Sequence, residues 1–350
     1  MGMALSLGRR GLGGVWPNPN VGCVIVRDGR VLGRGWTADG GRPHAETQAL
    51  DGINGAGATA YVTLEPCAHH GQTPPCVEAL IGAKIARVVI AAGDPDTRVA
   101  GKGIAALQAA GIEVVVGIRE AEARADMAGF LLRVTQERPF VTLKLATSFD
   151  GRIATATGES KWITGPAARR QVHAMRAQHD AVMVGAGTVR ADDPTLTVRD
   201  MGALRQPVRI VVSGHLDIEA NALLATQDQA PLWLCHSEGA NTDVWAAKGA
   251  NLIACGTHDR HVEPVDMMRK LAQQGLTRVF CEGGGQLAAS LLSAGLVDEV
   301  VGFSAGVMLG ADATPSIGAM THARLADAPR FELAEVRPVG GDVMQRWVRG

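Results

Sequence analysis

The feature that most constrains the fold is the alternation of short strand-like and helix-like segments along the whole chain of 350 residues. Apolar runs rich in Val and Ile, such as "ARVVIAAG" and "PVRIVVS", alternate with amphipathic segments such as "RRQVHAMRAQ". Strands that alternate with helices predict an α/β architecture in which helices cover both faces of a sheet. Single cores stop growing at roughly 250–300 residues, so we expect two domains.

One polar stretch, "TQERPF" at residues 135–140, interrupts this alternation. It contains Pro139, and a new strand-like run begins directly after it. Polar connections that contain proline are typical of domain boundaries. We therefore predict a first domain over residues 1–137 and a second over residues 138–350.

The first domain is predicted to begin its sheet with a hairpin. Asp28-Gly29 joins two β-rich runs, and this dipeptide readily adopts the positive φ angles of a tight hairpin turn. We expect a helix over residues 45–50 and a little beyond, a strand over residues 58–64 and a helix over about residues 75–83.

Charge and hydropathy exclude some classes of partner. Lys and Arg number 34 and Asp and Glu 35, a net charge of −1, so we expect no nucleic-acid partner. The first 16 residues lack the long apolar core of a signal peptide, and no run reaches the roughly 18–20 apolar residues of a membrane span. We expect a cytoplasmic protein with reduced thiols and no membrane partner. A homo-oligomer is compatible with the sequence.

Four residues in the first domain have the types that a hydrolytic zinc site needs. A catalytic zinc site uses three protein ligands and one open position, and zinc deaminases add a Glu that moves protons. Their signature is His-x-Glu followed by Pro-Cys-x-x-Cys. Here His44 and Glu46 supply the first part, but eight residues rather than two separate Cys67 from Cys76. We predict His44, Cys67 and Cys76 as metal ligands and Glu46 as the catalytic residue.

Two further observations bear on this metal site. A helix that begins at Cys76 would favour the thiolate that zinc requires. His69 and His70 are competing imidazoles, which we interpret as substrate-facing or loop-structuring residues. The alternative is that His44, Cys67 and Cys76 are ordinary core residues and Glu46 is an acid on a helix surface.

Three segments together resemble the deaminase half of the bifunctional deaminase-reductases of riboflavin biosynthesis. They are "PNPNVGCVIV" at 17–26, "PHAE" at 43–46 and "TLEPCAHHGQTPPC" at 63–76. The resemblance includes the long spacing between the two cysteines. It implies a cytidine-deaminase-like three-layer domain that removes an amino group from a diaminopyrimidine carrying phosphoribosylamine. Asn18 and Asn20 would read the edge of this heterocycle, although turn formation is an equal explanation for them.

Segments of the second domain resemble the reductase half of the same family. They are "KLATSFDGRIAT" at 144–155, "GESKWIT" at 158–164, "VGAGTVRADDPTLTVR" at 184–199 and "VFCEGGGQLAASLL" at 279–292. The resemblance implies a dihydrofolate-reductase-like α/β domain. Such a domain would use NADPH to reduce the ribosyl chain of the deaminated substrate to a ribityl chain.

The resemblance also implies the residues of the reductase site. The implied cofactor contacts are Ala146, Trp162, Thr188, Asp192, Glu282, Gly284, Gly285, Gln286, Leu287, Ala288, Ala289 and Ser290. The implied substrate contacts are Ser160, Arg176, Leu196 and Arg199. The two arginines suit a phosphate because guanidinium binds it bidentately. Trp162 could instead be a core aromatic and Arg176 a solvated helix residue, while Lys144 could reach the substrate from its strand.

Two other classes of function remain as alternatives. A zinc deaminase that acts on nucleic acid, with a non-catalytic C-terminal domain, would need a basic groove and no reductase motifs. A binding module with structural zinc would need four protein ligands and no acid beside the metal. The neutral charge and "GESKWIT" argue against the first alternative, and Glu46 argues against the second.

Overall fold

The computed structural model of the chain describes residues 1–70, 74–96, 100–202, 205–258 and 261–350. The chain divides into two compact units, Met1–Arg138 and Pro139–Gly350. This division falls within "TQERPF", one residue from the boundary expected from the sequence. In the described ranges, no helix is both long enough and apolar enough to cross a bilayer.

In its described residues, the first unit has five strands and six α-helices. The strands are β1 (Gly22–Arg27), β2 (Arg30–Trp36), β3 (Thr59–Leu64), β4 (Arg87–Ala92) and β5 (Glu113–Val116). The α-helices are α1 (Gly2–Gly8), α2 (Ala45–Leu50), α3 (Cys76–Gly82), α4 (Lys102–Ala109), α5 (Glu120–Asp126) and α6 (Ala128–Gln136). Short 3-10 helices lie at Arg9–Gly11 and Asp39–Gly41.

These strands form one mixed sheet in the order β2-β1-β3-β4-β5. The predicted hairpin is confirmed: β1 and β2 pair antiparallel, and Asp28 and Gly29 between them have φ angles of 52° and 72°. Strands β3, β4 and β5 run parallel to one another. A core of buried side chains such as Ile25, Leu80 and Ile90 lies between the sheet and the helices.

Two glycines on β2 let helix α2 lie close against the sheet. A Cβ atom at Gly33 would overlap the carbonyl oxygen of Ala49, and one at Gly35 would overlap the carbonyl oxygen of Ala45. Residues i and i+2 of a strand share a face, so both glycines open the same surface of β2. The helix therefore approaches the strand more closely than any side chain would permit.

The second unit is larger. Its described strands are β6 (Phe140–Ser148), β7 (Arg152–Ala154), β8 (Ala181–Gly185), β9 (Val208–Val212), β10 (Leu232–Ser237), β11 (Asn251–Cys255), β12 (Thr257–His258), β13 (His261–Val262), β14 (Arg278–Cys281), β15 (Glu299–Ala305), β16 (Thr314–Pro315), β17 (Glu332–Val339) and β18 (Asp342–Val348). Its helices are α7 (Pro166–Ala177), α8 (Ala186–Asp192), α9 (Asn221–Ala225), α10 (Asp243–Ala247), α11 (Pro264–Gln273), α12 (Gly285–Ser293) and the 3-10 helix Leu325–Asp327.

Nine of these strands form the main sheet, in the order β11-β10-β9-β8-β14-β6-β15-β18-β17. The seven from β11 to β15 are parallel to one another. Strand β18 is antiparallel to β15, and β17 is antiparallel to β18. The carboxyl ends of β8, β14 and β6 therefore meet at one edge of the sheet. Ligands of open α/β sheets bind at such an edge.

The segment "EAEARADMAGFLLRV" at 120–134 forms two helices rather than one continuous helix. Met127, between α5 and α6, leaves helical geometry with a ψ angle of 12°, and its side chain is buried in the core. Burial of this side chain is compatible with a turn in the backbone at that point. Helix α1 and the hairpin β17-β18 were not among the predicted elements.

Candidate active sites

Three elements of the first unit bring the predicted metal ligands together. His44 directly precedes α2, Cys67 follows β3, and Cys76 is the first residue of α3. Their ligand atoms all lie within 4.8 Å of one another. His44 Nδ1 is 3.3 Å from the Cys76 sulfur and 3.7 Å from the Cys67 sulfur.

These separations fit a tetrahedral zinc ion. With Zn–N and Zn–S bonds of about 2.1 and 2.3 Å, tetrahedral geometry places a nitrogen and a sulfur ligand roughly 3.6 Å apart. One nitrogen and two sulfurs also form a donor set that zinc favours. Three protein donors leave the fourth position for water or substrate, as in catalytic zinc sites.

Hydrogen bonding gives the two thiols different acidities. A hydrogen bond from the Cys76 thiol lowers the pKa of Cys67 and raises that of Cys76 itself. The Cys67 sulfur also accepts the backbone N–H of Cys76 at 3.3 Å. The hydrogen bond to Cys67 raises the pKa of His44. Cys67 is therefore disposed to be a thiolate, the form that binds a metal.

Glu46 lies beside this cluster in the first turn of α2. Only 4% of the residue is exposed, and burial raises the pKa of its carboxyl group. The carboxyl also forms a hydrogen bond with Cys76. A carboxyl whose pKa is raised towards neutrality can both accept and return a proton.

The structure distinguishes the two asparagines that the sequence treated alike. The amide of Asn18 donates to the carbonyl oxygen of Gly41 at 3.3 Å, which fixes a loop. Asn20 is only 7% exposed, and its Nδ2 has no partner among the described protein groups. A buried donor without a partner is costly unless a ligand or water satisfies it. Asn20 is therefore the better candidate for substrate contact.

The two histidines of "CAHH" also differ. His70 is exposed and pairs with Glu78 at 3.3 Å. His69 is half-buried, and its Nδ1 has no hydrogen-bond partner among the described residues. His70 therefore fits the loop-structuring interpretation.

Glu65 holds the backbone close to the candidate metal ligand Cys67, and the sequence analysis did not identify it. Its buried carboxylate accepts backbone N–H groups from Gly101 at 3.1 Å, Gly103 at 3.0 Å and Ile104 at 3.2 Å. It thereby fastens the start of α4 to the end of β3, two residues before Cys67. An acid directly after an apolar strand was the available signal, but its partners lie 29 to 39 residues away.

In the second unit, glycines after β14 form a cradle lined by backbone atoms. Gly283 and Gly284 have φ angles of 88° and 57°, and Gly283 accepts a hydrogen bond from Gly185 N at 3.0 Å. A Cβ atom at Gly284 would lie 3.2 Å from the hydroxyl oxygen of Thr188. The structure thus brings together Gly284 and Thr188, both predicted as cofactor contacts.

Helix α12 begins in this cradle, and its first N–H groups lack helical partners. They belong to Gly285, Gln286 and Leu287, because Ala288 N already donates to Gly284 O at 3.0 Å. The side chains of Ala288 and Ala289 are buried in the core. A diphosphate can therefore contact the first turn of α12 through its backbone.

Arg176 and Glu282 form a bidentate ion pair, which the sequence did not predict. Arg176 Nε donates to Glu282 Oε1, Nη2 donates to Oε2 at 3.0 Å, and Nη1 donates to the carbonyl oxygen of Thr197 at 2.8 Å. Both side chains are mostly buried. Arg176 is thus not a solvated helix residue, and its guanidinium is already bound within the protein.

Lys144 on β6 belongs to the same cluster of charges. Burial lowers the pKa of its ammonium group, while Glu282 and Asp192 favour the charged form. Ala146 follows on the same strand and is half-buried. The middle of β6 therefore places Lys144 near the Arg176–Glu282 pair.

Trp162 is not a core aromatic, since 68% of it is exposed. The guanidinium carbon of Arg169 lies 4.4 Å from the centroid of its ring. The neighbouring Lys161 forms an ion pair with Asp192 at 3.8 Å. This segment also contains Ser160, which is half-buried.

The remaining two predicted substrate contacts lie in the segment after α8. Leu196 is buried and has a φ angle of 57°. Arg199 is exposed, and its backbone N–H donates to His173 Nδ1 at 3.3 Å. The Arg199 guanidinium, unlike that of Arg176, lies on an exposed residue.

Two family models match the chain. The model for the RibD C-terminal domain matches residues 139–345, and that for the cytidine and deoxycytidylate deaminase zinc-binding region matches residues 1–92. The riboflavin biosynthesis protein RibD of Escherichia coli K12 is 43% identical over 98% of this chain and 96% of its own length. The corresponding protein of Aquifex aeolicus is 39% identical, with coverages of 98% and 96%.

Solved structures agree with these matches. A structure of Acinetobacter baumannii RibD superimposes with a TM-score of 0.89 at 38% identity, over 100% of this chain and 97% of that one. A diaminohydroxyphosphoribosylaminopyrimidine deaminase/5-amino-6-(5-phosphoribosylamino)uracil reductase from Thermotoga maritima gives a TM-score of 0.87 at 33% identity, with the same coverages. The similarity therefore extends over both units.

Proposed function

This chain belongs to the RibD family of riboflavin biosynthesis, and we propose that its deaminase activity resides in Met1–Arg138 and its reductase activity in Pro139–Gly350. The chain is a bifunctional enzyme that uses zinc and NADPH. It removes the amino group of a diaminohydroxyphosphoribosylaminopyrimidine and then reduces the ribosyl chain of the product. The alternative of a nucleic-acid deaminase with an inert C-terminal domain is not favoured, because the reductase family model covers that domain.

In the deaminase unit, His44, Cys67 and Cys76 hold the metal, and Glu46 moves the protons. The observation that carries this proposal is the set of three ligand atoms within 4.8 Å of one another, beside a buried carboxyl group. When bound, zinc supplies a Lewis acid that activates water. Glu46 moves two protons in turn: the first passes from the attacking water to the ring nitrogen, and the second passes from the added hydroxyl group to the departing amine. The unpartnered amide of Asn20 donates to the heterocycle, and Asn18 holds the neighbouring loop.

In the reductase unit, the glycine cradle and α12 bind the cofactor. When bound, NADPH supplies a hydride. The backbone N–H groups of residues 285–287 receive its diphosphate, and Gly284 allows the close approach. The other side chains assigned to the cofactor are Ala146, Trp162, Thr188 and Asp192. For Ala288, Ala289 and Ser290 the support is limited to their place in α12.

The substrate of the reductase is held from the segment after α8. Leu196 and Ser160 line the site, and the exposed Arg199 binds the phosphate through its planar guanidinium. Arg176 and Glu282 act together as an ion pair. The substrate and the cofactor therefore meet this pair and not a free cation or a free acid. This differs from the separate phosphate and cofactor roles expected for them from the sequence.

The enzyme acts on small molecules, and we place it in the cytoplasm without a nucleic-acid partner. Support comes from the net charge of −1 and from the thiols of the zinc site, which remain available in a reducing compartment. A mobility-shift titration with single-stranded RNA and DNA tests this part. Binding at micromolar concentration and physiological salt would contradict it.

The test of the proposed function is a product analysis by mass spectrometry. The zinc-loaded enzyme should release ammonia from the phosphoribosyl diaminopyrimidine without NADPH, and the deaminated product should accumulate. Addition of NADPH should then convert this product to the ribityl compound. Reduction of the amino substrate before deamination would contradict the proposed order.

A further inference from the structure

The segment 195–199, between α8 and β9, has no helical or strand structure, yet its backbone is firmly held. Leu196 adopts a left-handed backbone conformation with a φ angle of 57° and is only 2% exposed. That conformation is unfavourable for a residue with a branched side chain, so it persists only where the surroundings impose it.

Three side chains bind three consecutive backbone units that directly follow Leu196. Arg176 Nη1 donates to the carbonyl oxygen of Thr197 at 2.8 Å. Gln206 binds Val198, and His173 Nδ1 accepts the N–H of Arg199 at 3.3 Å. Side chains therefore supply this segment with the backbone hydrogen bonds that a neighbouring strand would supply in a sheet.

Gln206 makes the most complete of these contacts. Its Oε1 accepts the N–H of Val198 at 2.7 Å, and its Nε2 donates to the carbonyl oxygen of the same residue at 3.0 Å. A primary amide is the side chain that can supply both an acceptor and a donor in this way. The two bonds fix both peptide planes of Val198, and the second of these planes leads directly into Arg199.

We propose that Gln206 is a positioning residue of the reductase: it fixes the backbone of Val198 so that Arg199 presents its guanidinium to the substrate phosphate. This inference rests on the substrate role proposed above for Arg199. Gln206 itself does not contact the substrate. Its effect therefore passes entirely through the orientation of the neighbouring segment.

The experiment measures kcat and KM for the deaminated substrate, and KM for NADPH, in the full-length zinc-loaded enzyme. The variants are Gln206→Ala, Gln206→Met, Arg199→Ala and the double variant Gln206→Ala/Arg199→Ala. Loss of two hydrogen bonds should raise KM for the substrate about tenfold in each Gln206 variant. We expect kcat and KM for NADPH to stay within about twofold. The exposed Gln178 supplies a matched control, since Gln178→Ala should change neither KM.

The double variant tests whether Gln206 acts through Arg199. If it does, KM for the deaminated substrate should differ by less than about twofold between Arg199→Ala and the double variant. An equal rise in both backgrounds would overturn the inference. So would an unchanged KM in Gln206→Met, which retains the side-chain length in case Gln206→Ala does not fold.

Failure of the underlying proposal gives a different result. If Arg199→Ala leaves KM for the substrate unchanged, the phosphate role of Arg199 is wrong, and the inference about Gln206 falls with it. If Arg199→Ala raises KM but neither Gln206 variant does, only the inference is wrong.

Discussion

The candidate site of the first unit is built from side chains, whereas that of the second unit is built largely from backbone groups. In the first unit the proposed chemistry depends on the side chains of four residues, His44, Glu46, Cys67 and Cys76, drawn from the ends of three elements. In the second unit much of the proposed cofactor site is backbone, at the glycines before α12 and in the first turn of that helix. Side-chain chemistry leaves a recognisable pattern of residue types, whereas a backbone cradle leaves mainly glycines, which have many other uses.

The buried acids of the two candidate sites, Glu46 and Glu282, differ in their electrostatic surroundings. Glu46 is buried beside the candidate metal ligands, and the attraction of His44 offsets the effect of that burial only in part. Glu282 is also buried, but Arg176 neutralises it within the protein. The pKa of Glu46 is raised, and that of Glu282 is lowered. One acid is thus disposed to carry a proton, while the other remains ionised.

Removal of one metal ligand should give the largest effect. We expect Cys76→Ser to lose most of its zinc and essentially all deamination, because a structural change at one of three ligands breaks the donor set. Reduction of already deaminated substrate should continue. The measurements are metal analysis, ammonia release and NADPH oxidation. Cys281→Ala, a buried thiol in the other unit, is the control and should retain its zinc.

If Cys76→Ser keeps both zinc and deamination, Cys76 is not a ligand. His69 would then be the next candidate, since its Nδ1 lacks a partner in the described structure.

Replacement of Glu46 by Gln should give the next largest effect. This change preserves shape but removes proton transfer, so deamination should fall roughly 10²–10⁴-fold. Zinc content and the rate of NADPH oxidation with deaminated substrate should stay close to wild type. Loss of both activities in a folded, zinc-loaded variant would mean that the two sites are coupled, and the contrast between them would fail.

A methyl group in the glycine cradle should have a smaller effect. Gly284→Ala adds a Cβ that meets Thr188 at 3.2 Å and strains a φ angle of 57°. We expect KM for NADPH to rise about tenfold, with deamination unchanged. Gly239→Ala is the matched control, because a Cβ there meets no atom within 4 Å and its φ angle is not positive. An unchanged KM for NADPH in Gly284→Ala would remove the cradle from the cofactor site.

The smallest effect should follow loss of the ion pair between Lys161 and Asp192. The two side chains are 3.8 Å apart and substantially exposed, and surface pairs of this kind contribute roughly 0–1 kcal/mol. Lys161→Ala should therefore raise KM for NADPH less than about fivefold, and high salt should reduce the difference. A change above tenfold would show that Lys161 itself contacts the cofactor.

Local patterns allowed much of the fold to be predicted. Asp28-Gly29 identified the hairpin, and helix α2 begins where the sequence placed it, although it ends at Leu50 rather than a little beyond. Prediction was weaker where distant segments decide the structure. The bend at Met127 depends on the core beneath it. In the part of the chain that the structure describes, β17 pairs with β18 alone, at the edge of a sheet whose other strands come earlier in the chain.

The same limit applied to the candidate sites. Residue types alone indicated the candidate zinc ligands, because few other uses combine His, Glu and two Cys in this order. The partnership of Arg176 with Glu282 joins residues 106 positions apart, and Glu65 reaches its partners across 29 to 39 positions. Such pairings depend on strand order and helix placement, which periodicity does not specify.

Gly33 and Gly35 have a consequence for anyone who would transplant the zinc centre into another protein. The helix that follows His44 and carries Glu46 rests on a strip of β2 without side chains. Copying the three ligands and the acid onto a new scaffold would therefore be insufficient, because an ordinary strand beneath them would lift the helix and spread the ligand atoms apart. The bare strip belongs to the minimal transferable unit, although neither glycine is among the candidate ligands.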